Sequence, residues 1–171
     1  MILSLLIAPD PRLRLKALPV QTINQEIIDL IDNLFETMYA FQGCGLAATQ
    51  VNIQKRVLVM DLGYDWENEN TKTPRAFINP EILSRSEEHQ NLSEGCVSFP
   101  NVYEPVKRAE TVTFRYLDPK GVSQTVTAHG LLAVCIQHET EHLDGILFTD
   151  HLSRVRRERV LRRLKKHPPI L

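Results

Sequence analysis

The sequence predicts an α+β domain in which antiparallel strands pack around a central helix, with a further helix at the C-terminus. Two observations carry that prediction. Apolar residues recur at helical spacing near both ends of the chain, and between them they alternate at strand spacing. The strand-like segments also follow one another instead of alternating with helices. A length of 171 residues suits one domain, read here as 1–171 with 153–171 as a basic helix and tail.

Ile2–Ala8 is apolar but too short to span a bilayer, and it ends at Pro9. It has neither the basic start nor the small-residue cleavage site of an export signal. The cysteines (Cys44, Cys96 and Cys135) are odd in number and scattered, so they read as thiols of a cytoplasmic protein. From Asn24, a fitting N-cap, the apolar stripe Ile27, Ile28, Ile31, Leu34, Phe35, Met38, Tyr39 predicts a helix ending near Gln42-Gly43. Arg56–Leu62 reads as a strand, Gly63–Thr73 as a polar loop, and Ala76–Leu83 as an extended piece interrupted by Asn79-Pro80. Val106–Leu117 alternates, with Val112, Phe114 and Tyr116 on one face. Asp118–Gly121 turns it into a return strand at Val122–Ala128. Gly130–Leu143 is the second helix, closed by Asp144-Gly145. Ser153–Lys166 is the third, stopped by Pro168-Pro169.

Net charge is −1, yet residues 154–166 carry eight basic side chains against one acid, Glu158. The remainder holds 12 basic and 20 acidic groups, so an acidic body ends in a basic helix. Such a helix is either a solvated face, with Val155, Val160, Leu161 and Leu164 partly packed, or an electrostatic contact for an RNA-rich surface.

The chemistry is concentrated in the second helix. Gln137–Gly145 reads QHETEHLDG and contains an HExxH at 138–142. Two histidines four apart on a helix point the same way and can share a metal ion, while Glu139 is placed to exchange a proton with a water held there. Leu131, Val134, Cys135, His138 and His142 fall within one narrow arc, so the histidines are expected on the apolar face, where an unpaired imidazole is costly. A catalytic site needs a third protein ligand. The three-histidine extension fails because position 148 is Phe. Glu158, His151 and His129 are awkwardly spaced. Cys96, in the Glu94–Ser98 segment read as a loop closed by Pro100, is a better candidate: a thiolate and two imidazoles make a reasonable set for Fe(II), Zn(II), Ni(II) or Co(II), although Cys96 taken alone reads as a buried thiol. Gly43–Gln50 (GCGLAATQ) offers small residues for close backbone approach and the amide of Gln50; a helix cap followed by a packed turn explains its glycines equally well.

GCGLAATQ, EGCVS and QHETEHLDG, in this order and spacing, resemble the three signature motifs of the peptide deformylases. The start Pro9–Leu13 and the hairpin before the third motif resemble that family too, so the likeness spans essentially the whole chain. It implies a hydrolase that removes the N-terminal formyl group from new polypeptides beginning with formyl-methionine. Cys96, His138 and His142 match the metal ligands of one divalent ion, Fe(II) in the cell, with Ni, Co or Zn able to replace it. Glu139 matches the general base and acid, and Gln50 and the Val97 N–H match the groups that stabilise the oxyanion. Gly45 matches the backbone that pairs with the substrate strand, and Cys44, Leu131, Val134 and Cys135 match the methionine pocket. The family's C-terminal helix implies a ribosome contact; a monomer with no membrane partner is expected. Glu141 stands where the family most often has Asp, Val97 where it has Leu, Gln42 where an acid is frequent, and Tyr103 where a base is common.

Two other readings remain open at this point. A zinc metallopeptidase would use the same HExxH with Glu158 or His151 as third ligand. A ribosome-associated protein without activity would hold a structural metal in a closed shell.

Overall fold

The first helix starts where its cap predicts. In the computed structural model, which describes residues 1–166, the Asn24 side chain accepts a hydrogen bond from the Ile27 N–H and α1 runs Gln25–Ala40. The helix stops at Phe41, and Gln42 takes the left-handed turn (φ 54°) that a glycine would ordinarily supply. Gly43 is needed for another reason: a Cβ there would stand 2.9 Å from Val97 Cγ1.

The strands are β1 (Gly45–Ala47), β2 (Val57–Met60), β3 (Arg75–Arg85), β4 (His89–Cys96), β5 (Phe99–Ala109), β6 (Thr111–Leu117) and β7 (Ser123–His129). One antiparallel sheet has the order β1-β2-β3-β6-β7, and β4-β5 forms a separate antiparallel pair. The remaining helices are α2 (Gly130–Leu143) and α3 (Arg154–Lys166). The stop assigned to Pro168-Pro169 lies outside the described residues.

Strand β2 shows how the layers are joined. Its side chains alternate between two cores, as pleating requires. Val57 and Val59 join Ile31, Leu34 and Met38 of α1, whereas Leu58 and Met60 join Phe77, Phe114 and Ile136 beneath α2. The sheet is thus covered on both faces, with α2 on the inside. A third cluster gathers Leu6, Leu13, Phe99 and Phe148 under Val160 and Leu164 of α3. Leu5, Leu6 and Ala8 are buried, and the Leu6 N–H donates to Gln50 O at 2.8 Å, so the apolar N-terminal run is part of the folded body.

The structure corrects several sequence expectations. Val106–Leu117 is not one strand: the chain breaks at exposed Glu110, and the halves enter different sheets. Hydrogen bonds from Glu110 N to Glu88 O and from Thr111 N to Ser86 Oγ hold that corner. The segment around Cys96 is the end of β4 and a two-residue turn, not a loop closed by Pro100. Pro100 lies inside β5, where pairing jumps from Cys96↔Phe99 to Gly95↔Tyr103, a bulge in which its missing N–H leaves no ladder bond unmade. The GCGLAATQ segment is a strand followed by a 3-10 turn. Helix α2 buries residues all round, including Ala133, Ile136 and Gln137, so it has no single apolar face, and Leu131 on the expected arc is 52% exposed. Asn79-Pro80 does interrupt the pairing of β3 with β6, as a bulge that leaves the strand itself continuous, and Asn79 has φ 51° there.

Helix α2 ends as expected. Gly145 has φ 73°, and a Cβ there would lie 2.3 Å from the Arg14 carbonyl oxygen, so only glycine closes the helix against the N-terminal segment. Among the described residues no helix is long and apolar enough to cross a membrane.

Candidate active site

Two elements bring the three ligand candidates together. Cys96 terminates β4, and His138 and His142 project from successive turns of α2. Their ligand atoms all lie within 4.8 Å of one another; Cys96 Sγ is 3.3 Å from His142 Nε2, which is 3.2 Å from His138 Nε2. Among the described residues this is the group of metal-ligating side chains that converges. Glu158 instead pairs with Arg154 at the surface, His151 with Glu141, and His129 meets Thr111 Oγ1. That placement removes the peptidase ligand sets.

The donor chemistry fits a cation. Burial holds His142 well below its ordinary pKa, helped by the charges of His138 and Arg108, so its imidazole is neutral with lone pairs to give. Burial also opposes a charge on His138, but interactions with Cys96 and Glu94 outweigh it and raise that pKa. A thiol and two imidazoles that close together favour a positive charge between them. A divalent ion supplies one, and the set is a Cys/His/His divalent-metal triad.

A buried chain of charges supports it. His138 Nδ1 is 2.8 Å from Glu94 Oε1, and Arg108 grips Glu94 through Nε and Nη2 at 2.8 and 2.9 Å. That bond fixes the His138 ring with Nε2 turned toward Cys96. Arg108 Nη1 reaches Glu141 at 2.8 Å, and Glu141 in turn meets His151 Nε2. The longer Glu141 side chain is therefore satisfied, and it reaches the ligand His138 only through Arg108 and Glu94. Glu94 and Arg108 had no role assigned from the sequence. Glu94→Ala is expected to cost roughly 3 kcal/mol, because it takes away one of the two carboxylates that neutralise the Arg108 guanidinium, 2% exposed, together with the partner of His138 Nδ1. Denaturant unfolding of the variant checks this.

Gln50 is oriented without ambiguity. Its Oε1 accepts from the Ala47 N–H at 2.8 Å, which turns Nε2 toward Ser98 Oγ (3.1 Å) and Cys96 Sγ (3.4 Å). Glu139 is buried with Oε2 lacking any partner among the described residues, and burial pushes its pKa up to about 7. A Cβ at Gly45 would lie 2.6 Å from Glu139 Oε1, so glycine is required where β1 passes the carboxylate.

One cavity of about 870 Å³ contains Glu139, Cys96, Gly45, Cys44 and Val97 in its wall. Leu131, Val134 and Cys135 do not line it, although Cys135 reaches it indirectly. The neighbouring Cys44 thiol does line it, and the two cysteines shift each other in opposite directions, Cys44 downward and Cys135 upward. The N-terminal residues Ile2, Leu3 and Ile7 also line the cavity, which periodicity did not indicate.

The fold and site together define a metal-dependent hydrolase of the HExxH type, with a cysteine as third ligand. Residues 2–158 match the polypeptide deformylase family, and the chain belongs to it. The peptide deformylase of Azotobacter vinelandii is 52% identical over 165 residues, covering 96% of this chain and 95% of that protein. A crystal structure of peptide deformylase from Ehrlichia chaffeensis superposes with a TM-score of 0.91 at 37% identity, over 100% of this chain and 99% of that one. The same enzyme in complex with actinonin gives a TM-score of 0.90 at 40% identity, covering 98% of each chain.

Proposed function

We infer that this chain hydrolyses the N-terminal formyl group of polypeptides that begin with formyl-methionine, releasing formate. The observation that carries the reading is Glu139: a buried carboxylate with one oxygen unpartnered, next to three converging metal donors and against a glycine backbone. A structural metal requires no such group.

Cys96, His138 and His142 would hold one divalent ion, Fe(II) in the cell, with Ni(II), Co(II) or Zn(II) as substitutes. The ion supplies Lewis acidity and lowers the pKa of water toward neutrality. Glu139 accepts a proton from the attacking water as a bond forms to the formyl carbon. Negative charge grows on the formyl oxygen, and Gln50 Nε2 and the Val97 N–H meet it. The carbon–nitrogen bond then breaks as Glu139 returns the proton to the departing nitrogen. The products are formate and a free N-terminus. Gly45, on edge strand β1, pairs with the extended substrate backbone. Cys44, Leu131, Val134 and Cys135 receive the methionine side chain; Cys44 lines the cavity already, and the wall has to open toward α2 for the side chain to reach the other three.

On this reading the enzyme is a cytoplasmic monomer, a single catalytic domain that acts on nascent chains. Helix α3 supports a ribosome contact. Arg156 and Arg157 are used to fasten it, to Glu104 and to carbonyls of residues 149–152. Arg159, Arg162, Arg163, Lys165 and Lys166 remain exposed. Because Val160 and Leu164 complete a core cluster, deleting the helix would damage the body. Changing those five exposed residues to Gln is the cleaner test. Ribosome association should weaken and lose its salt dependence while turnover of short peptides persists; unchanged binding contradicts the contact. For the reaction itself, a metal-loaded preparation should release formate from a formyl-methionyl peptide and leave the acetylated peptide untouched. Absence of formate at full metal occupancy contradicts it.

A further inference from the structure

Two of the three cysteines lie beside the catalytic groups without belonging to the metal triad. Cys44 is exposed and forms part of the cavity wall, immediately before Gly45 of β1. Cys135 sits on α2, one turn ahead of Glu139, and is only 9% exposed. Strand and helix meet closely here. A Cβ on Gly45 would come within 2.6 Å of Glu139 Oε1 and 3.0 Å of its Cγ. Residues four apart share a helix face, so Cys135 belongs to the face that β1 covers. It packs in the same buried cluster as Ala47 and Met60, and Met60 is the register partner of Gly45. Cys44 is fastened to the same place, since the Asp61 N–H donates to its carbonyl at 2.9 Å.

The two thiols also act on each other. Their interaction draws Cys44 down to about 6 and drives Cys135 upward, an effect that requires side chains in close approach. A thiol that solvent reaches, backed by a second thiol that it does not, is the arrangement of a redox-sensing pair.

We propose that Cys44 and Cys135 are an oxidation site, at which a peroxide joins them in a disulfide that locks the methionine pocket shut. Hydrogen peroxide enters through the cavity. The Cys44 sulfur attacks one of its oxygens, the O–O bond breaks, and a sulfenic acid and one water result. Cys135 then attacks the Cys44 sulfur, the S–O bond breaks, and the S–S bond forms as a second water leaves. The two sulfurs lose two electrons, the peroxide gains them, and both thiol protons end in water. A dithiol reverses the reaction, as suits a cytoplasmic protein, where such bonds are transient.

The consequence follows from where the two residues stand. Cys44 lines the cavity and Cys135 does not, so the wall between them has to part before a methionine side chain can enter. A disulfide holds its Cβ atoms about 3.8 Å apart and prevents that opening. The lock rests on the deformylase reading of this pocket; the disulfide itself does not.

The test treats the Ni(II)-loaded chain with hydrogen peroxide, blocks free thiols by alkylation, and maps the unreduced digest by mass spectrometry. A peptide linking Cys44 to Cys135 should appear, with Cys96 outside any linkage. In step with it, kcat/KM for a formyl-methionyl peptide should fall by roughly 10-fold or more, the loss that one methylene of misfit causes in an apolar pocket. Dithiothreitol should remove the link and restore the rate. Cys44→Ala and Cys135→Ala, each compared with its own untreated rate, should form no link and show no loss that dithiothreitol reverses. Absence of the linked peptide, or a link through Cys96 in its place, refutes the site. Complete linkage with unchanged kcat/KM refutes the lock. Should the untreated chain release no formate, the reaction fails, yet the linked peptide still decides the site. Calorimetric binding of the same peptide before and after oxidation then decides the lock, which weaker binding supports and equal binding refutes.

Discussion

Glu139→Gln is expected to keep its metal and lose turnover by roughly a hundredfold to ten-thousandfold. The substitution preserves shape and packing beside Gly45, where the space is too tight even for a Cβ, so substrate approach should be little altered. What it removes is a carboxylate able to take a proton and return it near neutral pH. The high pKa that burial gives this group makes the proton exchange easy in both directions. The decrease should therefore fall on kcat and not on KM. Formate release measured alongside metal content checks both halves. Turnover within a few-fold of the unmodified chain would assign the proton to another group.

Cys96→Ala is expected to abolish metal retention and, with it, activity. The variant keeps His138 and His142 with their Nε2 atoms 3.2 Å apart, but it removes the only sulfur of the converging set among the described residues. Loss of an outer hydrogen-bond partner typically weakens a metal site by roughly 10–100-fold, and loss of a direct ligand should exceed that. Metal content after dialysis against a weak chelator gives the answer. Full retention would mean that a third ligand comes from elsewhere. The surface pairing of Glu158 and the Glu141 contact of His151 leave neither in position to supply it.

These two predictions also mark how far the sequence could be read. The HExxH was legible because its logic is local: four residues make one helical turn, and His138 and His142 must stack wherever that helix goes. Cys96 was harder, since nothing in its neighbourhood points to α2, and only the ordered motifs tied it to the histidines. Strand β4 went unread because HQNLSEGC is polar and lacks an alternating apolar face. Reading that stretch as a strand would have exposed a usable signal. Glu94 and Cys96 are two apart, so they share a face, and a carboxylate beside a ligand cysteine is a natural partner for a ligand histidine.

Other misses have the same origin in long-range contacts. The alternation of Val106–Leu117 continues through Glu110, but the chain turns there because the two halves find different partners, β4 and β3. The apolar arc on α2 was inferred from a helix with one wet side. In the fold that helix is enclosed, and Leu131, at its exposed first turn, is the residue left open. The part played by Ile2–Ile7 in the cavity wall depends on backbone bonds such as Leu6 N–H to Gln50 O, which no periodicity announces.

The central claim is that one metal, held by Cys96, His138 and His142, serves one Glu139 in formyl hydrolysis. Its most direct test is an anaerobic titration of Fe(II) into metal-free chain, with formate release from a formyl-methionyl peptide followed at each addition. The account predicts activity that rises linearly to one equivalent of metal per chain and then stops. Formate release before any metal is added, or a rise that continues to two equivalents, would contradict it.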